Sequence, residues 1–335
     1  MEHAKPRTHV VVGDGITAVA FIEHSGLAAG DTLIVLGKAA TRLGRGVAYA
    51  AGSEALPWRY AYLLNSPADD IDPAFARWLS DRWADVSGTM QGRAPNWLAA
   101  AQPLVEAGDI YGVNAPREFY GDFMAEQVAA LLAELRARGV AVRLEDACVS
   151  ALEREGGGVR LFTEDGRSFL ADSVDVAPGG PSTLRITGDV GAFSVPTLFG
   201  HEARIAEHIR AGAEIFCIGG NAAMLDALRL CQSLIPEADL RFVACAPDGA
   251  VPPPLVPRMP RKLTVPDLAA GHETAEAFLQ EVWRAIEAAR AAGDEMREIR
   301  AGFRAYFLEH GLARFVPDQD EARRVPVQLR FWLRG

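Results

Sequence analysis

The apolar pattern near the start of the chain predicts a strand, a tight turn, a helix and a second strand. Residues 10–12 are three consecutive valines, which is typical of a buried strand. The turn Gly13-Asp14-Gly15-Ile16-Thr17-Ala18 follows, then an amphipathic stretch to about residue 25 and an apolar run over 32–36. A strand, helix and strand joined in this way within about thirty residues form the unit of a parallel sheet.

Helical and strand patterns alternate along the next part of the chain. Apolar residues at helical spacing predict helices over 73–85, 96–107 and 116–138, with a loop over 87–95. Short runs bounded by turn residues predict strands over 140–144, 147–153, 158–163, 168–171 and 172–176. The Asp-Gly turn between the third and fourth of these strands predicts a hairpin, and so an antiparallel meander within the parallel pattern.

A second strand, glycine turn, helix and strand occur farther along. The strands are predicted over 214–218 and 240–244, the turn over 219–223 and the helix over 224–233. A proline-rich segment covers 247–266, helical spacing returns over 275–290 and 295–310, and the run 330–335 is strand-like. These elements predict an α/β protein with two Rossmann-like dinucleotide-binding units of a three-layer, largely parallel sheet, a small antiparallel meander and a helical C-terminal region.

The first glycine turn matches the G-x-G-x-x-G/A fingerprint of dinucleotide-binding sites. Gly13 permits the tight turn, Gly15 lets the backbone approach a pyrophosphate, and Ala18 is small enough for the helix to pack closely on the strand. The amides at the start of the helix face the phosphate charge. The predicted site also includes Asp14, Ile16 and Thr17.

The acidic residue that usually ends the second strand and binds the adenosine ribose is missing, because Gly37 occupies its place. Lys38 and Arg42 follow, and exchanging an acid for basic residues is how such a site accommodates a 2′-phosphate. The first unit would then hold NADP(H) directly. Alternatively, Lys38 and Arg42 are solvated surface charges.

The second glycine turn departs from the fingerprint. Asn221 stands where the second glycine would be if Gly219 is the first. Asparagine tolerates left-handed backbone geometry, so the turn can form, but its side chain makes close approach of a phosphate less secure. The predicted site comprises Gly219, Gly220, Asn221 and Ala222; the alternative is a structural Rossmann-like unit with an empty cleft.

Charge and composition limit the binding partners and the cellular location that we expect for the protein. The formal net charge of -10 argues against nucleic acid or an anionic membrane surface as a partner. No apolar run reaches the roughly 18 residues of a membrane helix, and the start MEHAKPRTH lacks the apolar core of a signal peptide. We therefore expect a cytoplasmic protein that acts on a small molecule.

Cysteine and histidine usage argues against metal and hydrolase chemistry. The four cysteines lack C-x-x-C spacing and are predicted to be buried thiols, and no metal site is expected. No histidine is paired with a serine, aspartate or cysteine in a recognisable order. The catalytic residues stay unknown at this level, since no acid or base can be named.

Five ordered segments carry a family resemblance. They are the fingerprint at 13–18, G-R-G-x-A-Y at 44–49, L-L-N-x-P-A at 63–68, P-R-x-x-Y-G at 116–121 and A-P-G-G-P at 177–181. In this order they resemble the bacterial FAD/NAD(P)-binding proteins related to N-hydroxylating and other flavin monooxygenases, which have two dinucleotide-binding domains. Pro178 stands where the family has threonine.

The resemblance implies FAD along the first unit and NAD(P)H on the second, around 219–222. In such enzymes the nicotinamide reduces the flavin, which then reacts with oxygen. It places near the flavin or its diphosphate the residues Arg45, Gly46, Leu64 and Asn65, with Gly179 in the turn that leaves the flavin domain.

The resemblance also suggests how the chain is divided. We predict an FAD-binding-like Rossmann domain over 1–185, a second, NAD(P)-binding-like unit over 186–270 and a helical C-terminal region over 271–335. The family's C-terminal segment that returns to the flavin domain is expected to be absent. Either a partner subunit then covers the site, which makes a homodimer attractive, or the protein has lost ordinary flavin redox chemistry.

Three hypotheses about function follow. The first is an FAD-dependent, NAD(P)H-linked oxidoreductase of monooxygenase type that acts on a small metabolite. The second is a cofactor-binding accessory or regulatory protein of the same fold without redox turnover. The third is an NADP(H)-dependent reductase that uses no flavin.

Overall fold

The computed structural model describes residues 5–49, 56–179, 194–195, 197–246, 249, 268–294 and 296–332. It divides into two compact units, an N-terminal unit (Met1–Leu255) and a C-terminal unit (Val256–Gly335). Within the described ranges, no helix has the length and apolar character needed to cross a membrane.

A four-stranded parallel sheet is the centre of the N-terminal unit. Its strands, in spatial order, are β3 (Ala141–Asp146), β2 (Thr32–Gly37), β1 (Thr8–Val12) and β7 (Ser173–Val176). Val10 lies opposite Ile34 on one side and Val174 on the other. The β-branched runs seen in the sequence are therefore central strands, which are buried on both faces.

The two faces of this sheet pack against different layers, because successive side chains along a strand point in opposite directions. Val11 and Val35 pack on the helical side with α1 (Ile16–Glu23) and α6 (Arg117–Ala137). Val10, Ile34 and Leu36 pack against the antiparallel meander. That meander consists of β4 (Val149–Glu155), β5 (Gly158–Thr163) and β6 (Ser168–Ala171). The predicted three-layer fold class is confirmed.

Between β2 and α6 the described residues form four α-helices: α2 (Ala68–Ile71), α3 (Pro73–Asp81), α4 (Trp83–Gln91) and α5 (Pro95–Glu106). The prediction of one helix over 73–85 followed by a loop over 87–95 is wrong. The first helix ends at Asp81, and a second helix, α4, forms after Arg82 because Val86 and Met90 are buried in the core. Tertiary burial outweighs the polar local pattern here.

The second Rossmann-like unit has two parallel strands, β8 (Ile215–Ile218) and β9 (Phe242–Cys245), with α7 (Glu202–Arg210) and α8 (Ala222–Gln232). The prediction that all four cysteines are buried is wrong. Cys231 is buried, but Cys245 is exposed on an edge of this small sheet, and the other two thiols are half-buried.

The C-terminal unit is helical, as the sequence predicts. Its helices are α9 (Ala275–Ala291), α10 (Met296–His310), α11 (Leu312–Phe315) and α12 (Gln319–Trp332). Phe278, Phe303 and Phe315 are fully buried in its core. The strand predicted over 330–335 is wrong as far as residue 332, because α12 runs through it; a short apolar run does not distinguish helix from strand. Residues 333–335 lie outside the described ranges.

Candidate functional site

The candidate site lies at the carboxyl ends of β1, β2 and β7, where open α/β sheets bind their ligands. The glycine turn follows β1, Gly37 ends β2, and Ala177 follows β7. Gly179 is exposed just beyond Ala177, while Gly180 and Pro181 lie outside the described residues.

Gly13 is required by the fold itself. Its φ of +122° is unfavourable for residues with a side chain, and a Cβ built there would lie 2.2 Å from the carbonyl oxygen of Ala177. Its N–H donates to the carbonyl oxygen of Leu36 at 2.8 Å. Gly13 thus follows β1 directly and contacts the residues at the ends of β2 and β7.

Gly15 faces open space. A Cβ built on it meets no atom within 4 Å, and its backbone is extended (φ −90°, ψ −174°). It is the N-cap of α1, and no side chain in the described structure caps this helix. The first-turn amides at Ile16 and Thr17 therefore present the positive end of the helix beside this open space, an arrangement that suits a phosphate group. Ala18 is fully buried in the core, which allows the close helix–strand contact expected of it.

The G-R-G-x-A-Y segment packs directly on this turn. The N–H of Gly44 donates to the backbone oxygen of Asp14 at 2.9 Å. Gly46 has a φ of +52°, and a Cβ on it would lie 3.4 Å from the Cα of Gly15. Two sequence motifs that are separate along the chain thus lie against each other, and each forms one wall of the cleft.

Arg45 is neutralised by carboxylates. Its guanidinium pairs with Glu118 at 3.4 Å and with Asp122, both on α6. Glu118 is only 4% exposed and also pairs with Arg59 at 2.9 Å. Arg45 is predicted to lie near the flavin or its diphosphate, and the structure places its charge within this network.

Leu64 and Asn65 lie against the start of α6. Leu64 is buried, and its N–H donates to the oxygen of Ala115 at 2.9 Å. Asn65 is exposed, and its Oδ1 accepts from Nη2 of Arg117 at 3.3 Å. The first turn of α6 therefore contacts both the 63–68 motif, through Arg117, and the Arg45 network.

Asp226 is a buried acid that the sequence motifs do not identify. It is 3% exposed on α8, and its Oδ2 accepts from Nη2 of Arg117 at 2.7 Å. Burial raises the pKa of this carboxyl, while Arg117 and Arg229 oppose that shift. A lone acid within the apolar run Met224-Leu225-Asp226-Ala227-Leu228 was the available signal.

The second glycine turn has the same backbone form as the first. Gly219 has a φ of +121°, and its N–H donates to the oxygen of Cys245 at 2.8 Å. Asn221 is extended (φ −113°, ψ −166°), in the conformation that Gly15 adopts. The turn forms with asparagine at this position, as expected, but it does not use the left-handed geometry that asparagine tolerates, because the position needs no positive φ.

Asn221 acts instead as the cap of α8. Its Oδ1 accepts from the N–H of Ala222 at 2.7 Å, so a first-turn amide already has a partner. The side chain also lies where a phosphate would approach the backbone. Gly219 leaves open space where its side chain would be, whereas Asn221 suits a phosphate less well than Gly15 does.

Gly37 and Lys38 lie at the end of β2. Gly37 is buried, and a Cβ there would lie 2.7 Å from the Cβ of Asp14. Lys38 is exposed, as is Arg42 in the turn that follows. A larger residue at position 37 is thus excluded by the Asp14 side chain.

His9 has hydroxyl and carboxylate neighbours that chain order does not reveal. Its Nδ1 lies 2.7 Å from Oγ of Ser173, and its Nε2 lies 3.2 Å from Oδ2 of Asp175. These neighbours come together because β1 and β7 pair His9 with Ser173, which are far apart along the chain. Burial lowers the pKa of His9. His9 lies near the start of β1, away from the glycine turn, and the group forms a partly buried polar contact between β1 and β7.

The chain matches the model of a known protein family. The match to the FAD-NAD(P)-binding family covers residues 10–181, which is more than half of the chain and includes the glycine turn, the 44–49 and 63–68 motifs and β7. No curated protein sequence matches.

Solved structures show weaker similarities. Ornithine hydroxylase from Pseudomonas aeruginosa is 16% identical, with 99% of this chain and 71% of that chain covered and a TM-score of 0.38. A flavin monooxygenase variant from Stenotrophomonas maltophilia is 15% identical, with 72% and 59% covered and a TM-score of 0.33. Thioredoxin reductase from Lactococcus lactis is 17% identical, with 71% and 64% covered and a TM-score of 0.31.

The chain spans less than two thirds of the length of the monooxygenase and of the reductase. Similarities at this level carry no argument about activity. The family match does not depend on these structural similarities. It covers residues 10–181, which include the cleft around Gly13 and Gly15. The chain therefore belongs to the FAD-NAD(P)-binding family, whose cofactors are those that the sequence predicts.

Proposed function

We propose that this protein is an FAD-dependent, NAD(P)H-linked oxidoreductase of the monooxygenase type that acts on a small metabolite. The observation that carries the proposal is the open space over Gly15 at the uncapped start of α1. Such a helix end is a ready site for a diphosphate. It forms part of a cleft whose other wall is the G-R-G-x-A-Y segment.

The residues around the cleft have distinct tasks in this proposal. The amides of Ile16 and Thr17 would bind the diphosphate, and Gly46 would keep the opposite wall close to Gly15. FAD, when bound, supplies hydride acceptance from NAD(P)H and reaction with oxygen. The protein would contribute positioning and exclusion of water, which agrees with a sequence that names no catalytic acid or base.

A second candidate has its own support. In a cofactor-binding protein without turnover, the second unit would not need to present an open helix end. The side chain of Asn221 caps α8, so one amide that would bind a phosphate in the second unit already has a partner. The pairing of Arg45 with two carboxylates removes a free positive charge from the first site as well.

The visible spectrum of the purified protein decides between these candidates. We expect a flavin band at about 450 nm that NADH or NADPH bleaches without oxygen and that returns on admission of air. A bound flavin that neither nicotinamide reduces would support the accessory protein. A colourless protein that takes up no added FAD would contradict both.

A further inference from the structure

The sequence suggests that the first unit has lost its ribose-binding acid, but the structure places the carboxylate of Asp14 directly beside the end of β2. In dinucleotide-binding units the acid at the end of the second strand accepts a hydrogen bond from the ribose 2′-hydroxyl. Gly37 ends β2 here. A Cβ built on Gly37 would lie 2.7 Å from the Cβ of Asp14 and 2.8 Å from its Oδ2.

Asp14 is held firmly at this point. Its Oδ2 accepts from the N–H of Ala39 at 2.7 Å, just beyond the end of β2. Its backbone oxygen accepts from the N–H of Gly44 at 2.9 Å. The carboxylate thus comes from the glycine turn, yet it lies at the carboxyl end of β2, and the glycine at position 37 makes room for it.

We infer that Asp14 is the residue that recognises the adenosine ribose in this chain, replacing the acid usually supplied by the second strand. An ionised carboxylate accepts several hydrogen bonds, so Asp14 can serve a ribose hydroxyl while Oδ2 stays bonded to Ala39. The same negative charge repels a 2′-phosphate. Asp14 therefore selects FAD or another nucleotide with a free 2′-hydroxyl, and it argues against NADP(H) in the first unit.

Nearby basic residues define the competing outcome. Lys38 and Arg42 are exposed directly after β2 and would attract a 2′-phosphate if they faced the ribose. Tighter binding of a 2′-phosphorylated nucleotide by the native protein would overturn the inference in favour of that arrangement.

The test compares three adenine nucleotides by calorimetric titration of the full chain after removal of any bound flavin. The probes are ADP, 2′-deoxy-ADP and adenosine 2′,5′-bisphosphate. A hydrogen bond to a charged group predicts that the native protein binds ADP about ten- to a hundredfold more tightly than 2′-deoxy-ADP. Asp14→Asn keeps the shape and an acceptor for Ala39, and it should remove most of this discrimination.

A second variant, in which the carboxylate moves from position 14 to position 37, keeps the test decisive if Asp14→Asn folds poorly. In the double variant Asp14→Gly with Gly37→Glu, the clash at position 37 is absent and the acid returns to β2. We expect it to regain the preference for ADP over 2′-deoxy-ADP. Unchanged discrimination in Asp14→Asn would overturn the inference and leave Asp14 as an acceptor for Ala39.

The inference rests on the proposed function only in requiring a nucleotide in the first unit. If the native protein binds none of the three probes and no FAD, both fail. If FAD and ADP bind without any dependence on the 2′-hydroxyl, the inference alone fails.

Discussion

Two glycines in one turn serve different purposes. Gly13 has a positive φ and leaves no room for a Cβ beside Ala177, so its requirement belongs to the fold. Gly15 has an ordinary extended backbone and empty space around it, so nothing in the described protein requires glycine there. The sequence fingerprint does not distinguish the two roles, because both positions are occupied by glycine.

This distinction makes a prediction with two matched variants. Gly13→Ala should lower the free energy of unfolding by about 3 kcal/mol or more, because strain at positive φ adds to a backbone clash. Gly15→Val should change it by less than about 1 kcal/mol yet abolish FAD binding, because the side chain enters the space of the diphosphate. Urea unfolding and FAD titration measure the two effects. Native FAD affinity in Gly15→Val would show that the cleft is structural.

At the scale of elements, α1 and α8 begin with different N-cap residues, Gly15 and Asn221, although their turns share a backbone form. The start of α1 is uncapped by any described side chain, whereas Asn221 caps α8. A cap stabilises its helix and occupies an amide that a phosphate would otherwise use. The first Rossmann-like unit therefore leaves its helix amides open to a ligand, whereas the second uses one of them to stabilise the helix.

Substituting the cap should shift this balance. Asn221→Gly loses only a few tenths of a kcal/mol of helix stability, since glycine is also accepted at this position. We expect it to bind NAD(P)H more tightly, because an amide and the space in front of it become free. The matched variant Asn221→Asp keeps the cap but adds a negative charge and should bind NAD(P)H more weakly than the native protein. Flavin reduction at increasing NAD(P)H concentration measures both. Equal affinities in all three proteins would show that nucleotide does not contact this turn.

Local pattern predicted some elements to the residue and failed at others for identifiable reasons. The strands Gly158–Thr163 and Ser168–Ala171 are as predicted, because the Asp-Gly turn between them marks their ends. Helix α4 was missed because its buried contacts come from residues distant in sequence. The place of Asp14 beside Gly37 was invisible for the same reason: the fingerprint describes a residue's position along the chain, and the ribose site depends on its position in space.

For the whole molecule, the buried residues form separate cores in the two units. The N-terminal unit has a core between the parallel sheet and its helices, which includes Leu33 and Phe75. The C-terminal unit has a core of its own, in which Phe278 and Phe315 stack with ring centroids 5.3 Å apart. Each unit thus buries enough apolar surface to fold around its own centre.

Separate cores predict separate unfolding. Leu33 and Phe278 are each fully buried, so replacing either with alanine should cost about 3–5 kcal/mol. Hydrogen exchange resolved by segment should show Leu33→Ala losing protection in β1–β3 together with bound FAD. Phe278→Ala should lose protection in α9 and α10 while FAD affinity and protection in β1–β3 stay native. Equal loss in both regions for either variant would contradict this expectation and mean that the chain unfolds as one cooperative body, because a cavity in one core would then destabilise the other to the same extent.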